Sequence, residues 1–312
     1  MVLNASQLSQ GAESYRAKEL LVRDLRDNRF VSTNPEEYEA LKAPPDFAVR
    51  WSLEALAHDP VANILSAGLN SSDGCPIGEH HFCGRYCFAW NAGHRGHEPY
   101  PDLDQKYLRD MQKLKEKNAN VGIFYSYDTE PLAWAEIIKT TKTVLRAVIQ
   151  SPPSALLLHT RTAHTLDREL VSLLKNVSEA TNLIVGVALE TDLEDLGQFR
   201  HYHSVADRLI AMELMAQEWL TVQWTTTPMM GYRDYPGLIQ RFRNIWVNRI
   251  MLGNVKYDLP NWGADIAREL GDFWLHIPTE EEALAICDAH NFPGWAQRRE
   301  RYYVSMWSNS PA

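Results

Sequence analysis

The sequence predicts an α/β protein built as a partial (β/α)6 barrel of the TIM type, with a short N-terminal extension. Short runs rich in Val, Ile and Leu recur roughly every thirty residues, and amphipathic stretches lie between them. Runs that are apolar throughout are typical of parallel strands, which are buried on both faces. Strand and helix alternate about six times, which indicates a parallel sheet with helices on its outside.

Each predicted element rests on its own local pattern. Strands are predicted for the apolar runs, and helices for the periodic stretches with capping residues or a first-turn proline. The predicted strands are Ala62–Ser66, Val121–Tyr125, Ala155–His159, Leu183–Leu189, Leu220–Thr225, Trp246–Leu252 and Phe273–Ile277. The predicted helices are Leu103–Lys117, Leu132–Ile149, Leu166–Leu174, Ser204–Gln217 and Thr279–Asp288.

The order of these elements divides the chain into three parts. We expect residues 1–60 to form the N-terminal extension, residues 61–278 the barrel, and residues 279–312 a C-terminal helix and tail. In barrels of this type the chemistry lies at the carboxyl ends of the strands. Polar residues at those ends are therefore the first candidates for function.

Composition excludes several classes of protein. The 312 residues carry a formal net charge of −9, which disfavours broad non-specific binding to nucleic acid, although a nucleic-acid substrate stays possible. No apolar run reaches about 18 residues, so no membrane partner is expected. The first residues lack the apolar core of a signal peptide, and we expect a cytoplasmic protein.

Cysteine spacing is the most specific signal in the sequence. Three of the four cysteines, Cys75, Cys83 and Cys87, lie within thirteen residues, and Cys287 is far away. Clustering of this kind indicates metal or redox chemistry rather than a disulfide framework. Three thiolates can hold three irons of a 4Fe-4S cluster, which leaves the fourth iron open to a substrate.

Two other interpretations of this loop stay open. His80 and His81 lie between the cysteines, so a Cys3His zinc site is chemically reasonable, although the tight Cys-x2-Cys knuckles of structural zinc are absent. The protein would then be a zinc-stabilised binding protein without catalysis. The cysteines could also bind no metal, and an electron-transfer ferredoxin is disfavoured because a closed cluster needs four cysteines.

Several motifs give the chain a family resemblance. A glycine-led loop of three cysteines follows the first strand, with Tyr86 just before the third cysteine, and the blocks IFYSYDTEPL, ALLLHTRT, LIVGVALETD, ADRLIAMELM and VQWTTTPMM follow in order. The chain resembles the radical S-adenosylmethionine superfamily, and within it the spore photoproduct lyase-like branch and its phage-associated relatives. Its Cys-x7-Cys-x3-Cys spacing is longer than the common spacing of three and then two residues.

The resemblance implies two cofactors, a 4Fe-4S cluster and S-adenosyl-L-methionine, and a 5′-deoxyadenosyl radical made from them. Tyr86 would lie near the adenine, and the turn after the second strand would contact the methionyl amino group. Glu190 is placed to accept hydrogen bonds from ribose hydroxyls, and Arg208 matches an arginine that contacts the cofactor. Capping and surface ion pairs are the ordinary alternatives for these residues. The expected cofactor-binding residues are Tyr86, Ser126, Tyr127, Asp128, Glu190 and Arg208.

Catalytic residues are weaker predictions. His159 ends the third strand and is a candidate for proton transfer. Cys287 is a candidate hydrogen-atom donor, although a cysteine on an apolar helical face is more often part of the core. The resemblance points to a modified pyrimidine nucleotide or DNA base as substrate, with an amino acid or peptide as the alternative. A reductant such as flavodoxin or ferredoxin is the expected partner, and lyase, isomerase and transferase outcomes stay open.

Overall fold

The structure of the protein is a computed structural model. It describes residues 53–59, 64–79, 81–85, 87, 90, 95–126, 129–196, 200–226, 232–247, 249–252, 282, 285, 286, 289 and 294–296. Its main feature is an eight-stranded sheet. In spatial order the strands are β1 (Leu53–Asp59), β2 (Ile64–Leu69), β5 (Val121–Tyr125), β6 (Ala155–Thr160), β7 (Asn182–Ala188), β8 (Thr221–Thr226), β9 (Arg249–Leu252) and β10 (Gly294–Ala296).

Strand order in this sheet follows chain order, as in a singly wound barrel. The six strands β2 and β5 to β9 are parallel, and β10 adds to them in parallel. Only β1 is antiparallel, and it covers the edge of β2. A ribbon of β3 (Ser72–Gly74) and β4 (Arg95–Pro99) stands beside the sheet. The predicted partial (β/α)6 barrel is thereby confirmed.

Five described α-helices connect the strands, and several begin at a side-chain cap. Asp167, Ser204 and Asp234 each accept a hydrogen bond of 2.9 Å from a backbone N–H of the first turn that follows. None of the described helices is long and apolar enough to cross a membrane. The helices are α1 (Leu103–Glu116), α2 (Ala135–Gln150), α3 (Arg168–Ala180), α4 (Val205–Gln217) and α5 (Tyr235–Asn244).

The two faces of the sheet differ in chemistry. Side chains of the outer face, such as Leu158 and Trp224, belong to one apolar cluster with the helices. Because successive strand residues point to opposite faces, the alternate positions point into the barrel. Several of those are polar although they are buried, namely Gln223, Thr225 and Arg249. The outer face thus stabilises the fold, and the inner face is available for chemistry.

The predicted bounds of the strands are accurate in the middle of the chain, whereas the predicted first residues of the helices are less accurate. The strand Val121–Tyr125 has its predicted bounds, whereas α2 begins at Ala135 rather than at Leu132. The Glu130 carboxylate accepts from the Leu132 N–H, so these residues form a turn instead of the first helical turn. Helix α5 was not predicted, although Asp234 and the proline in its first turn are a normal start signal.

The edges of the sheet extend past the predicted barrel bounds. Strand β1 lies within residues 1–60, and β10 lies beyond residue 278. The predicted strand Phe273–Ile277 lies outside the described residues, as does most of the C-terminal helix and tail. The division into extension, barrel and tail stays a prediction.

Truncation of a buried outer-face residue tests this account of the core. Leu158 is 0% exposed within the apolar cluster, so Leu158→Ala should lower the free energy of unfolding by about 2–5 kcal/mol. Leu166 is 39% exposed, and Leu166→Ala should cost less than about 1 kcal/mol. Urea denaturation measures both. Equal losses in the two variants would contradict the assignment of the core.

Candidate active site

The three clustered cysteines lie on a loop between β3 and β4, next to the carboxyl ends of the strands. Cys75 precedes a 3-10 turn at Pro76–Glu79, and Cys83 lies in a second such turn at Phe82–Arg85. The Cys87 N–H donates to the Cys83 carbonyl over 2.9 Å. None of the three forms a disulfide within the described residues.

Two glycines let this loop fold back on itself. A Cβ atom on Gly84 would lie 1.8 Å from the Gly78 carbonyl oxygen, and one on Gly78 would lie 2.8 Å from the Trp90 ring. Backbone therefore passes backbone at a distance that only glycine allows. This crossing joins the two 3-10 turns and compensates for the long spacing between Cys75 and Cys83.

Burial keeps the thiols of Cys75 and Cys83 protonated. Desolvation raises the pKa of Cys75 to about 12, and the Glu130 carboxylate adds to the increase. Desolvation likewise raises the pKa of Cys83. The other cysteines of the loop also raise the pKa of both thiols. A bound metal ion deprotonates a coordinating thiol outright, so these side chains are suited to metal rather than to free thiolate chemistry.

The donor set fits an iron–sulfur cluster. Within the described part of the chain, no three side chains of His, Cys, Asp and Glu are grouped closely enough to hold one metal ion. A cubane cluster does not need such a group, because each cysteine binds a different iron. The three cysteines, each partly buried on one folded loop, are therefore compatible with a cluster, and Cys75, Cys83 and Cys87 stay the predicted ligands.

A buried carboxylate organises the strand ends beside this loop. Glu190, 2% exposed, follows β7 and forms ion pairs with Arg161 after β6 and with Arg208 on α4, the latter over 2.9 Å. Arg208 also donates to the Ala188 carbonyl over 2.7 Å and lies 3.1 Å from His201 Nδ1. The two residues predicted separately as cofactor ligands are thus bound to each other, and Arg208 is not a surface residue.

These groups line a cavity that reaches the cysteine loop. It encloses about 260 Å3 of space partly open to solvent. Two guanidinium groups and one carboxylate share its wall with a thiol, which favours a ligand with both charged and aromatic parts. Its lining residues are Phe82, Cys83, Arg161, Glu190, His201, Tyr202 and Arg208.

A short aromatic segment, residues 200–203, holds the cysteine loop against the barrel. The Arg200 carbonyl accepts from the Phe82 N–H over 2.9 Å. The Tyr202 ring packs edge-on against His81 with a centroid distance of 5.1 Å, and its hydroxyl donates to the Ala133 carbonyl. Tyr202 therefore links the loop to the turn before α2.

Glu130 is a second buried carboxylate, and it accepts three hydrogen bonds. Their donors are the Thr160 hydroxyl at 2.5 Å, the Arg161 N–H at 2.7 Å and the Leu132 N–H at 3.1 Å. Desolvation raises its pKa to about 7 despite these bonds. Its negative charge acts on Cys75, so it lies on the side of the site that faces the loop.

The turn after β5 leaves two buried hydroxyls without hydrogen bonds. Ser126 has a positive φ of 69° and is 2% exposed. Its hydroxyl and that of Thr129 find no partner among the described residues. Buried hydroxyls are nearly always hydrogen-bonded, so these two are candidates to bind a polar group of a ligand. Tyr127 and Asp128, predicted with Ser126, lie outside the described residues, as does Tyr86.

His159 lies inside the barrel rather than in a solvated loop. Its ring meets Phe124 edge-on with a centroid distance of 6.0 Å, and its Nε2 atom has no hydrogen-bond partner within the described part of the chain. Desolvation, reinforced by Arg161, lowers its pKa to about 3. The imidazole is neutral at neutral pH, which suits hydrogen bonding better than proton transfer. Cys287, the other catalytic candidate, lies outside the described residues.

Sequence reasoning missed three features of the site. Glu130 was not singled out, although a Glu directly before Pro131 and after a strand is a recognisable signal. The aromatic segment 200–203 was also missed, and its sequence Arg-His-Tyr-His before a capped helix was the available clue. The role of Asp192 was also missed: its carboxylate accepts from the N–H groups of Arg233 and Asp234, which lie 41 and 42 positions further along the chain.

Comparison with solved structures relates this site to known folds. Spore photoproduct lyase complexed with dinucleoside spore photoproduct matches with a TM-score of 0.52 and 12% identity, over 74% of this chain and 66% of that one. A spore photoproduct lyase mutant with bound AdoMet matches at 0.50 and 11%, over 68% and 62%. SuiB from Streptococcus suis, bound to precursor peptide SuiA, matches at 0.51 and 14%, over 92% and 62%.

At this identity the likeness concerns the fold. The chain shares the fold of radical S-adenosylmethionine enzymes, and the resemblance inferred from the sequence is confirmed at that level. It spans 62–66% of the length of these solved structures. No protein-family model matches the sequence, and a search of curated proteins found no significant match.

Removal of the Glu190 charge tests its role at the strand ends. Glu190→Gln leaves two guanidinium groups without their shared carboxylate, and one of them is fully buried. We expect a loss of about 3–5 kcal/mol in the free energy of unfolding. Glu218 pairs with Lys175, and both side chains are more than 40% exposed, so Glu218→Gln is a matched control that should cost less than about 1 kcal/mol. Similar losses would contradict the assignment.

The buried His159 predicts acid sensitivity. Its folded pKa of about 3 lies below the ordinary value near 6.5, so only the unfolded chain binds the proton between these values. The stability that depends on a neutral His159 imidazole is fully present above pH 6.5 and is lost as the pH falls toward the folded pKa. Between pH 7.5 and 5.5 the protein should lose about 1 kcal/mol more than the His159→Gln variant, measured by urea denaturation. Equal losses in the free energy of unfolding of the protein and of the His159→Gln variant would show that the His159 imidazole is solvated.

Proposed function

We propose that this chain is a radical S-adenosylmethionine enzyme whose 4Fe-4S cluster is held by Cys75, Cys83 and Cys87. A bound, reduced cluster would supply one electron to the sulfonium of S-adenosylmethionine, whose C–S bond would break to give methionine and a 5′-deoxyadenosyl radical that could abstract a hydrogen atom from a substrate. The cysteines bind iron, and the surrounding residues orient the cofactor and the substrate.

One observation carries this proposal. Three partly buried cysteines without disulfides lie on a single loop at the carboxyl edge of a parallel barrel, and one of them, Cys83, lines the same cavity as two arginines. A cubane with three protein ligands leaves one iron available to another molecule. The shared fold with enzymes of this superfamily supports the same conclusion.

The cavity wall suits the charges of S-adenosylmethionine. Arg161 retains 22% side-chain exposure there and would pair with the methionyl carboxylate. The Glu130 carboxylate and the Ser126 hydroxyl would accept hydrogen bonds from the methionyl amino group, because both residues belong to the segment that follows β5. Glu190 holds both arginines and has lone pairs left for a ribose hydroxyl. Tyr86, Tyr127, Asp128 and Arg208 stay proposed contacts.

A modified pyrimidine nucleotide or DNA base is the proposed substrate. The likeness to a lyase complexed with a dinucleoside product supports it, while the likeness to a peptide-bound enzyme keeps an amino acid or peptide as the alternative. With a net charge of −9, the chain would favour a small nucleotide over a long polymer. Flavodoxin or ferredoxin would supply the electron, which places the reaction in a reducing compartment such as the cytoplasm.

Anaerobic reconstitution tests the proposed function. The protein should take up about four irons per chain, absorb near about 400 nm, and form 5′-deoxyadenosine from S-adenosylmethionine under reducing conditions. Cys83→Ala should abolish both iron uptake and product because one iron loses its ligand. Cys287→Ala, the matched cysteine variant, should keep the full iron content. Iron analysis and chromatography of the nucleoside measure these results.

The same experiment separates the alternatives. A colourless protein with one zinc per chain would identify a zinc-stabilised binding protein and would contradict the enzyme. A four-iron cluster that persists in Cys83→Ala would contradict the ligand assignment. A loss of iron in Cys287→Ala would make that distant residue a cluster ligand, which would close the vacant position on which cofactor binding depends.

A further inference from the structure

One row of residues crosses the inner face of the barrel. The strand registers pair His159 with Gly186, Gly186 with Gln223, and Gln223 with Arg249. Four neighbouring strands thus contribute three polar side chains and one glycine at a single level. Parallel barrels usually fill such a level with branched apolar residues, so this polar row needs a separate explanation.

Gly186 makes the polar side chains converge. A Cβ atom built on Gly186 would lie 3.1 Å from Thr225 Oγ1, 3.2 Å from His159 Cδ2 and 3.6 Å from Gln223 Nε2. The imidazole, the hydroxyl and the amide therefore meet above the glycine, although they come from strands on either side of it. The Gln223 amide donates to the Thr225 hydroxyl over 3.3 Å, which orients both groups.

The imidazole in this cluster is unsatisfied. The Nε2 atom of His159 is buried, and it has no hydrogen-bond partner among the described residues. An unpaired buried nitrogen costs stability, so it needs a partner that the protein itself does not supply. A ligand bound inside the barrel would satisfy it.

The cluster lies near two charged residues that line the cavity of the candidate active site. His159 precedes Arg161 by two residues and Gly186 precedes Glu190 by four, so the cluster lies deeper along β6 and β7 than these two residues, which follow the strand ends. Both Arg161 and Glu190 act electrostatically on His159. A substrate that enters from the cofactor cavity would therefore meet this cluster as its floor.

The chemistry of the three groups selects the ligand. Burial holds His159 neutral, with a pKa of about 3, so it offers one donor and one acceptor rather than a charge. Gln223 offers an amide donor and an amide acceptor, and Thr225 offers a hydroxyl. Neutral, paired donors and acceptors match a carbonyl that stands next to an N–H, which is the pattern of a pyrimidine imide and of a peptide amide.

We propose that His159, Gln223 and Thr225 form the floor of the substrate site and hydrogen-bond an amide-type group of the substrate. This inference rests on the proposed function. It adds the part of the substrate that is recognised and the residues that recognise it.

Equilibrium dialysis on the full chain, reconstituted with its cluster and S-adenosylmethionine, tests the inference. The probes are thymidine, N3-methylthymidine, which lacks the imide N–H, and N-acetylalaninamide, which carries a peptide amide. The variants are His159→Leu and Gln223→Leu, which remove the hydrogen bonds, and His159→Gln, which keeps a side-chain donor. Thr221→Val is the matched control, because Thr221 lies on β8 one level further from the cofactor cavity.

Binding of thymidine with a dissociation constant about tenfold lower than that of N3-methylthymidine would support the proposal and identify the nucleobase. Binding of N-acetylalaninamide alone would support it and identify the peptide. In either case His159→Leu and Gln223→Leu should weaken binding about tenfold, while His159→Gln and Thr221→Val stay near the unsubstituted protein. Wild-type binding by His159→Leu, or no binding of any probe, would overturn the proposal.

Two further readouts separate the causes of failure. Circular dichroism identifies a variant that does not fold. If His159→Leu does not fold, Gln223→Leu tests the loss of a hydrogen bond, and His159→Gln serves as its folded comparison. Formation of 5′-deoxyadenosine without a probe is measured in the same samples. If that nucleoside forms while no probe binds, the substrate floor is wrong and the proposed function stands. If it does not form, the proposed function itself fails.

Discussion

The ion pairs of Glu190 hold the carboxyl edge of the barrel together. This buried carboxylate joins the end of β6 through Arg161 and the first turn of α4 through Arg208. Arg208 in turn contacts His201 of the aromatic segment, which packs on the cysteine loop. A single charge thus connects three elements, and it fixes the guanidinium groups that line the cavity beside Cys83.

The cysteine loop solves a different problem, which is to bring distant ligands together. Its gaps are longer than the superfamily's common spacing, and a loop of that length would ordinarily be loose. Gly78 and Gly84 remove the side chains that would block the crossing, and two 3-10 turns take up the additional residues. Burial keeps Cys75 and Cys83 protonated, and binding of the proposed cluster would stabilise the folded loop.

Sequence patterns predicted most of the parallel sheet, because each strand is a separate apolar run. They also indicated the cysteine ligands and the importance of Glu190 and Arg208. Patterns could not show that these last two residues pair, since they are 18 positions apart and meet only after α4 packs against the sheet. His159 was interpreted as a strand-end residue, and only the strand register reveals that it converges with Gln223 above Gly186.

The account depends on one iron that the protein leaves without a ligand. Mössbauer spectroscopy of the protein reconstituted with 57Fe, with and without S-adenosylmethionine, measures this directly. We expect a four-iron cluster in which one iron changes its isomer shift when the cofactor is added, while the three bound to cysteine do not. A spectrum in which all four irons stay unchanged, or a protein that binds no iron, would contradict the account.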